Sequence, residues 1–160
     1  MPLCAGMKTE QFFTITDKRN ALQSKQNLKG VLTMNLFEKF ESGKLALPSG
    51  LTNFESVAWS PHAKFEGVAL KHLITAKDTN GAFSYHLVRI APNKKIGKHI
   101  HETQLETHEI IAGNGVCVND GKKLSYEEGV ISIFCAGIEH EVIADANGLY
   151  LFAKFMPALC

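Results

Sequence analysis

The chain has 160 residues, 45% of them apolar, and a formal charge of +1, which suits one domain of ordinary size with a real hydrophobic core. So balanced a charge gives no electrostatic footprint for nucleic acid or an anionic membrane. The longest strongly apolar run, VISIFCAGI at 130–138, is far shorter than the roughly 20 residues of a transmembrane helix.

The first stretch, MPLCAGMKTEQFF, has no apolar core of signal-peptide length and carries charge early. Four cysteines (Cys4, Cys117, Cys135, Cys160) are scattered without a Cys-X-X-Cys pair and read as reduced thiols. No Asn-X-Ser/Thr acceptor occurs. The expected location is the cytoplasm. Residues 1–34 are polar and mixed in charge, with apolar residues too sparse for a firm amphipathic face. They are expected to form an extension, partly helical, that stands free or packs on a partner subunit. The folded domain is expected to run from 35 to 160.

NLFEKFESGK at 35–44 predicts a short helix with Leu36, Phe37 and Phe40 on one side and Gly43 at its end. From about residue 55 the texture is β. Short runs rich in Val, Ile, Phe and Tyr alternate with turn signals: SP at 60–61, DTNG at 78–81, APN at 91–93, GNG at 113–115, NDG at 119–121 and ANG at 146–148. Strands at this spacing predict an all-β sandwich or barrel. At the end of the chain Leu149, Leu151, Ala153 and Phe155 share one face, and Tyr150, Phe152 and Lys154 share the other. The outer aromatics Tyr150 and Phe152 are candidates for a subunit interface.

The densest chemistry lies in GKHIHETQLETHEIIAGNG at 97–115. On a strand, His99 and His101 point to one face. A second strand would put Glu106, His108 and Ile110 on a common face, and pairing of the two strands would bring Glu106 to the histidines. Gln104 shares the parity of Glu106, whereas Glu109 does not. Downstream, Ile138, His140 and Val142 share a face, so His140 looks inward between apolar neighbours and needs a polar partner. Three neutral imidazoles and a carboxylate make a mixed N/O site for one divalent transition metal (Fe, Mn, Ni, Co or Zn). On an octahedral ion, four protein ligands leave two positions for substrate, water or dioxygen.

These residues resemble the two signature motifs of the cupin superfamily. The first reads His99-Ile-His101, four residues, Glu106, six residues, Gly113; the second reads Gly129, five residues, CAG, two residues, His140. The fifteen residues between Gly113 and Gly129 are similar to the spacing of small single-domain cupins. Asn93 stands where the first motif has Gly, Cys135 where the second has Pro, and Ala144 where it closes on Asn. Asparagine is the residue best able to replace glycine in a left-handed turn, and Cys135 is expected to fill the proline slot as a small buried side chain.

The resemblance covers roughly residues 65–156. It implies a double-stranded β-helix, or jelly-roll barrel, with His99, His101, Glu106 and His140 as metal ligands inside. His108 lies outside that set, near the pocket by parity, and is a candidate catalytic acid/base or a group that orients a ligand. Tyr85, His86 and Arg89 are further candidates for the barrel lining, while His62 and His72 read as structural or solvated.

The same barrel hosts many reactions. The leading expectation is a metal-dependent enzyme on a small polar metabolite, dioxygenase-like or isomerase/lyase-like, with the ion acting as Lewis acid and template. The alternative is a non-catalytic module that binds or senses a small molecule. Either is expected to act as a homodimer.

Overall fold

The computed structural model describes residues 36–160; the extension expected at 1–34 lies outside them. In chain order the elements are α1 (Leu36–Glu41), β1 (Lys44–Leu47), β2 (Gly50–Asn53), a 3-10 turn (Phe54–Ser56), β3 (Ser60–Pro61), β4 (Val68–Ile74) and α2 (Ala76–Thr79). There follow β5 (Ser84–Ile90), β6 (Lys95–His99), β7 (Leu105–Asn119), β8 (Lys122–Tyr126), β9 (Ile131–Phe134) and β10 (His140–Met156). None of the described helices is long and apolar enough to cross a membrane.

Two long strands organise everything else. β7 and β10 run antiparallel along nearly their whole length, Met156 opposite Leu105 at one end and His140 opposite Asn119 at the other. Their outer partners change half-way. The first half of β7 pairs with β9 and the second half of β10 with β5, which continues to β4 and β3. The second half of β7 pairs with β8 and the first half of β10 with β6. Each long strand thus serves two antiparallel sheets, and the result is the jelly-roll, all-β fold expected.

The change of sheet explains two misread turn signals. GNG at 113–115 and ANG at 146–148 lie inside β7 and β10, where the register slips between Ala144 and Leu149. Gly113 has φ +81°, and a Cβ there would collide with the Gly148 carbonyl; one on Gly115 would collide with the Ile143 carbonyl. These glycines let two backbones bend past each other at a barrel corner. SP at 60–61 is likewise a short edge strand opposite Leu70 and Ala69. NDG does turn the chain, with Asp120 and Gly121 at φ +50° and +74°. Asn93, in the glycine slot, takes φ +58°.

Val68, Val88, Ile90, Ile110, Val142, Leu149 and Leu151 fill the barrel. A second core covers the outside of one sheet, and here the short helix finds its purpose. Phe37 packs on Tyr150 with ring centroids 3.9 Å apart, and Phe40 meets Phe152 edge-on at 4.9 Å. The outer aromatics are therefore roofed by their own chain, not offered to a partner subunit as the sequence suggested. Tyr85 stacks on Phe152 and Arg89 lies over Trp59. Both belong to this outer face, which removes them from the barrel lining.

Candidate metal centre

His99 ends β6, His140 opens β10, and the two are direct cross-strand partners. Glu106 and His108 point inward from the start of β7, opposite Phe155 and Ala153 of β10. His101 sits in the loop beyond β6, whose backbone is fixed by a hydrogen bond from Gly137 N–H to the His101 carbonyl (2.8 Å). β6 and β7 are not neighbours, because β10 runs between them. Convergence comes from the two sheets facing each other, not from the direct pairing expected.

The ligating atoms of His99, His101, Glu106 and His140 all lie within 4.8 Å of one another. Oε2 of Glu106 is 2.9 Å from His140 Nε2 and 3.2 Å from His101 Nε2. Two of the imidazoles are pre-set. His99 donates Nδ1–H to the Gly97 carbonyl (2.8 Å) and His140 donates Nδ1–H to the Ile138 carbonyl (3.1 Å). That arrangement leaves Nε2 as the inward nitrogen of both rings, the way histidine ligands are held in metal sites. Burial opposes ionisation of Glu106, but the neighbouring His108, with hydrogen bonds from His101 and His140, outweighs it and holds the carboxyl well below its usual range. His140 faces the same contest. Burial lowers it, and the hydrogen bond and charge of Glu106 prevail and raise it. Burial lowers His99. Three nitrogens and one anionic oxygen are a donor set that a divalent transition ion fits.

His108 is fully buried, and both its nitrogens are engaged. Nε2 is 2.8 Å from Glu106 Oε1 and Nδ1 is 3.1 Å from the Tyr126 hydroxyl. Tyr126 in turn meets Ser132. Glu109 lies outside the converging group, on the outer face, where it accepts a hydrogen bond from Tyr85 (3.0 Å). Cys135 is exposed, which corrects the expectation of a buried proline substitute; the turn carrying it faces solvent.

Beside the cluster is a cavity of about 250 Å³, smaller than the roughly 300–1,000 Å³ of sites for drug-sized ligands. His99, His101, Glu106 and His108 form its polar floor, and Val88, Ile96, Leu151, Phe155 and Leu159 much of its apolar wall. Among the described residues, no lysine or arginine lines it. His62 and His72 do, although both read as structural or solvated in the sequence. Parity alone could have turned His72 inward, since it alternates with Val68 and Leu70 along β4; that it stands opposite buried His86 comes only with the register. His62 precedes a loop and offered no such signal.

Comparison with known proteins agrees with this geometry. Residues 86–151 match the family model described as the cupin domain. A predicted oxalate decarboxylase of Thermotoga maritima superposes with a TM-score of 0.59 at 22% identity, over 64% of this chain and 95% of its own. An RmlC-like cupin of Shewanella frigidimarina gives 0.58 at 15% identity, over 68% and 90%. An ectoine synthase of P. lautus gives 0.58 at 16% identity, over 68% and 78%. No curated protein sequence matches. Such identities speak for the fold alone, and with the cupin-domain match over residues 86–151 they show that this chain carries the cupin fold.

Proposed function

We propose that this cupin is a metal-dependent enzyme that holds one divalent transition ion on His99, His101, Glu106 and His140 and acts on a small molecule in the adjoining cavity. The observation that carries the reading is the paired anchoring of His99 and His140 through Nδ1 to backbone carbonyls, with their Nε2 atoms turned toward a buried carboxylate. When bound, such an ion supplies Lewis acidity and a template for oxygen donors.

The chain's own residues do the rest. Glu106 offsets the charge of the ion, and His108, held by Tyr126, fixes the second carboxylate oxygen. Of the roles open to His108, its two hydrogen bonds favour orienting Glu106 over shuttling protons. Phe134 stacks on His140 and Phe155 packs edge-on against His101, which shields the donors from water. Ser60, His62 and His72 offer hydrogen bonds along the wall. With an apolar wall and no lysine or arginine among the described residues that line it, the fitting ligand has a compact apolar body and one or two oxygen donors, and is less polar than the sequence suggested.

The test is elemental analysis of protein purified without chelators, beside a His99→Ala/His101→Ala variant, followed by an oxygen electrode on the iron(II)-loaded protein. One transition ion per chain at this site, absent from the variant, supports the reading. Oxygen uptake with a small acid or ketone points to dioxygenase-like chemistry, and turnover without uptake to isomerase or lyase chemistry. Protein that stays metal-free after anaerobic iron(II) overturns the enzyme and leaves a binding or sensing cupin. The homodimer is a proposal tested by light scattering, the cytoplasmic location by fractionation.

A further inference from the structure

A second group of ligating side chains shares no residue with the first four and reaches the wall of the same cavity through His72. His72 of β4 and His86 of β5 are cross-strand partners, with their Nδ1 atoms 2.9 Å apart and rings at 86°. The Sγ of Cys160 lies 3.5 Å from His72 Nδ1, and the three donor atoms fall within 4.8 Å of one another. The placement is built, not incidental. The Cys160 backbone oxygen accepts from Ala76 N–H (2.6 Å), Ala158 N–H donates to the Gly81 carbonyl (3.0 Å), and Leu159 N–H donates to Ser84 Oγ (2.9 Å). The same Ser84 hydroxyl is 2.8 Å from Nε2 of His86, which is wholly buried. Ser84, His86 and residues 158–160 thus form one connected unit.

Two imidazole nitrogens at 2.9 Å need a proton between them, one ring donating and the other accepting. That shared proton occupies a spot where two lone pairs and a sulfur converge. The set has no carboxylate and one thiol, unlike the harder N/O set around Glu106. We propose that His72, His86 and Cys160 form a second metal site, for a thiophilic d10 cation, Zn²⁺ or Cu⁺. On binding, the shared proton moves to Nε2 of its own ring, the thiol proton leaves to solvent, and the ion takes both Nδ1 lone pairs and the thiolate. One proton is released per ion. The ion fastens residues 158–160 to β4 and β5. Because His72 and Leu159 line the cavity, it also fixes one wall of the ligand site.

The experiment is a Co²⁺ titration of the full-length protein followed by absorption, with wild type, Cys160→Ser, His72→Ala and the His99→Ala/His101→Ala variant. Wild type should develop a near-ultraviolet thiolate-to-cobalt charge-transfer band that the double variant retains. Cys160→Ser and His72→Ala should lack the band and bind one ion fewer. Cys160 is exposed, so its replacement leaves the fold intact. Displacement of the band by Zn²⁺ or by chelate-buffered Cu⁺ identifies the preferred ion. No band in wild type at saturating Co²⁺ overturns the proposal, as does a band that survives His72→Ala. Loss of the band in the double variant would put the thiolate at the first site and overturn it too.

Discussion

Glu106→Gln tests the electrostatics of the first site in the metal-free protein, where the sign of every charge is legible. Nδ1 of His140 faces the Ile138 carbonyl and Nε2 faces the Glu106 carboxylate, both of which only accept. The ring must therefore carry both protons, and a buried ion pair results. The folded pKa of Glu106 lies below its ordinary value of 4.5, so its contribution is present above that pH and lost as pH falls through the folded value. The folded pKa of His140 lies above 6.5, so its contribution is complete below that pH and lost as pH rises through the folded value. Both operate together between about pH 4.5 and 6.5. Breaking a buried pair costs about 3–5 kcal/mol. Glutamine keeps one accepting oxygen and lets His140 turn neutral, which places the loss near the lower end, about 3 kcal/mol at pH 5.5. As pH rises toward 9, through the raised folded pKa of His140, the wild-type pair loses its proton, and the difference shrinks toward the ~1 kcal/mol of an ordinary hydrogen bond. Urea denaturation of chelator-treated wild type and variant at the two pH values measures both. Equal stability at pH 5.5, or a larger gap at pH 9, refutes the reasoning. With metal present, removal of the only anionic ligand should weaken binding beyond the ~10–100-fold expected for losing an outer hydrogen-bond partner, read by chelator competition.

His108→Asn should fall within that 10–100-fold range for metal affinity, since it loosens Glu106 without removing a donor; an unchanged Kd would mean that the carboxylate needs no support. Burial, with the neighbouring His72 adding to it, pushes His86 down to about 4. The unfolded chain therefore takes up a proton near pH 6.5 that the native state refuses, and metal-free stability declines from pH 6.5 toward pH 4 by up to about 3 kcal/mol. Urea midpoints for His86→Leu should show a flatter decline. Gly113→Ala should be severely destabilising, beyond the ~1–2 kcal/mol of a left-handed residue alone, because its methyl group meets the Gly148 carbonyl. Gly121→Ala, with the same sign of φ and open space around it, should cost only that amount, and equal losses would contradict the corner reading of β7. Phe37→Ala removes the ring packed on Tyr150 and should cost about 3–5 kcal/mol, measurable as a drop in thermal midpoint.

What the sequence made legible follows from which signals are local. Parity along a strand is set by two backbone dihedrals per residue, so the inward faces of His140, Glu106 and the terminal strand could be read directly. The left-handed turn at Asn93 was also local and was read correctly. Pairing is not local. Whether β6 lies beside β7 or is separated from it by β10 depends on contacts some forty residues apart, and the expected juxtaposition of those strands was wrong although the residues still converge. The glycines of GNG and ANG illustrate the same limit. A glycine needed for φ > 0 in a turn and one needed for backbone clearance at a bulge look identical in sequence, and only the meeting of Gly113 with Gly148 separates the two.

His72 shows what the site owes to that non-local part. Alone on β4 it is a half-buried histidine among apolar residues, and nothing nearby in sequence gives it work. Register with β5 supplies His86, and the return of the chain supplies Cys160, so three residues spanning 88 positions become one cluster. The first site, by contrast, draws three of its four ligands from eight consecutive residues, and for that reason a spacing motif can announce it. A site assembled from three separate elements leaves no such spacing. If Co²⁺ reports a thiolate at His72, the barrel carries a hard ion site at the cavity floor and a soft one that reaches its wall through His72, and only the one written in consecutive residues could have been found before the fold was known.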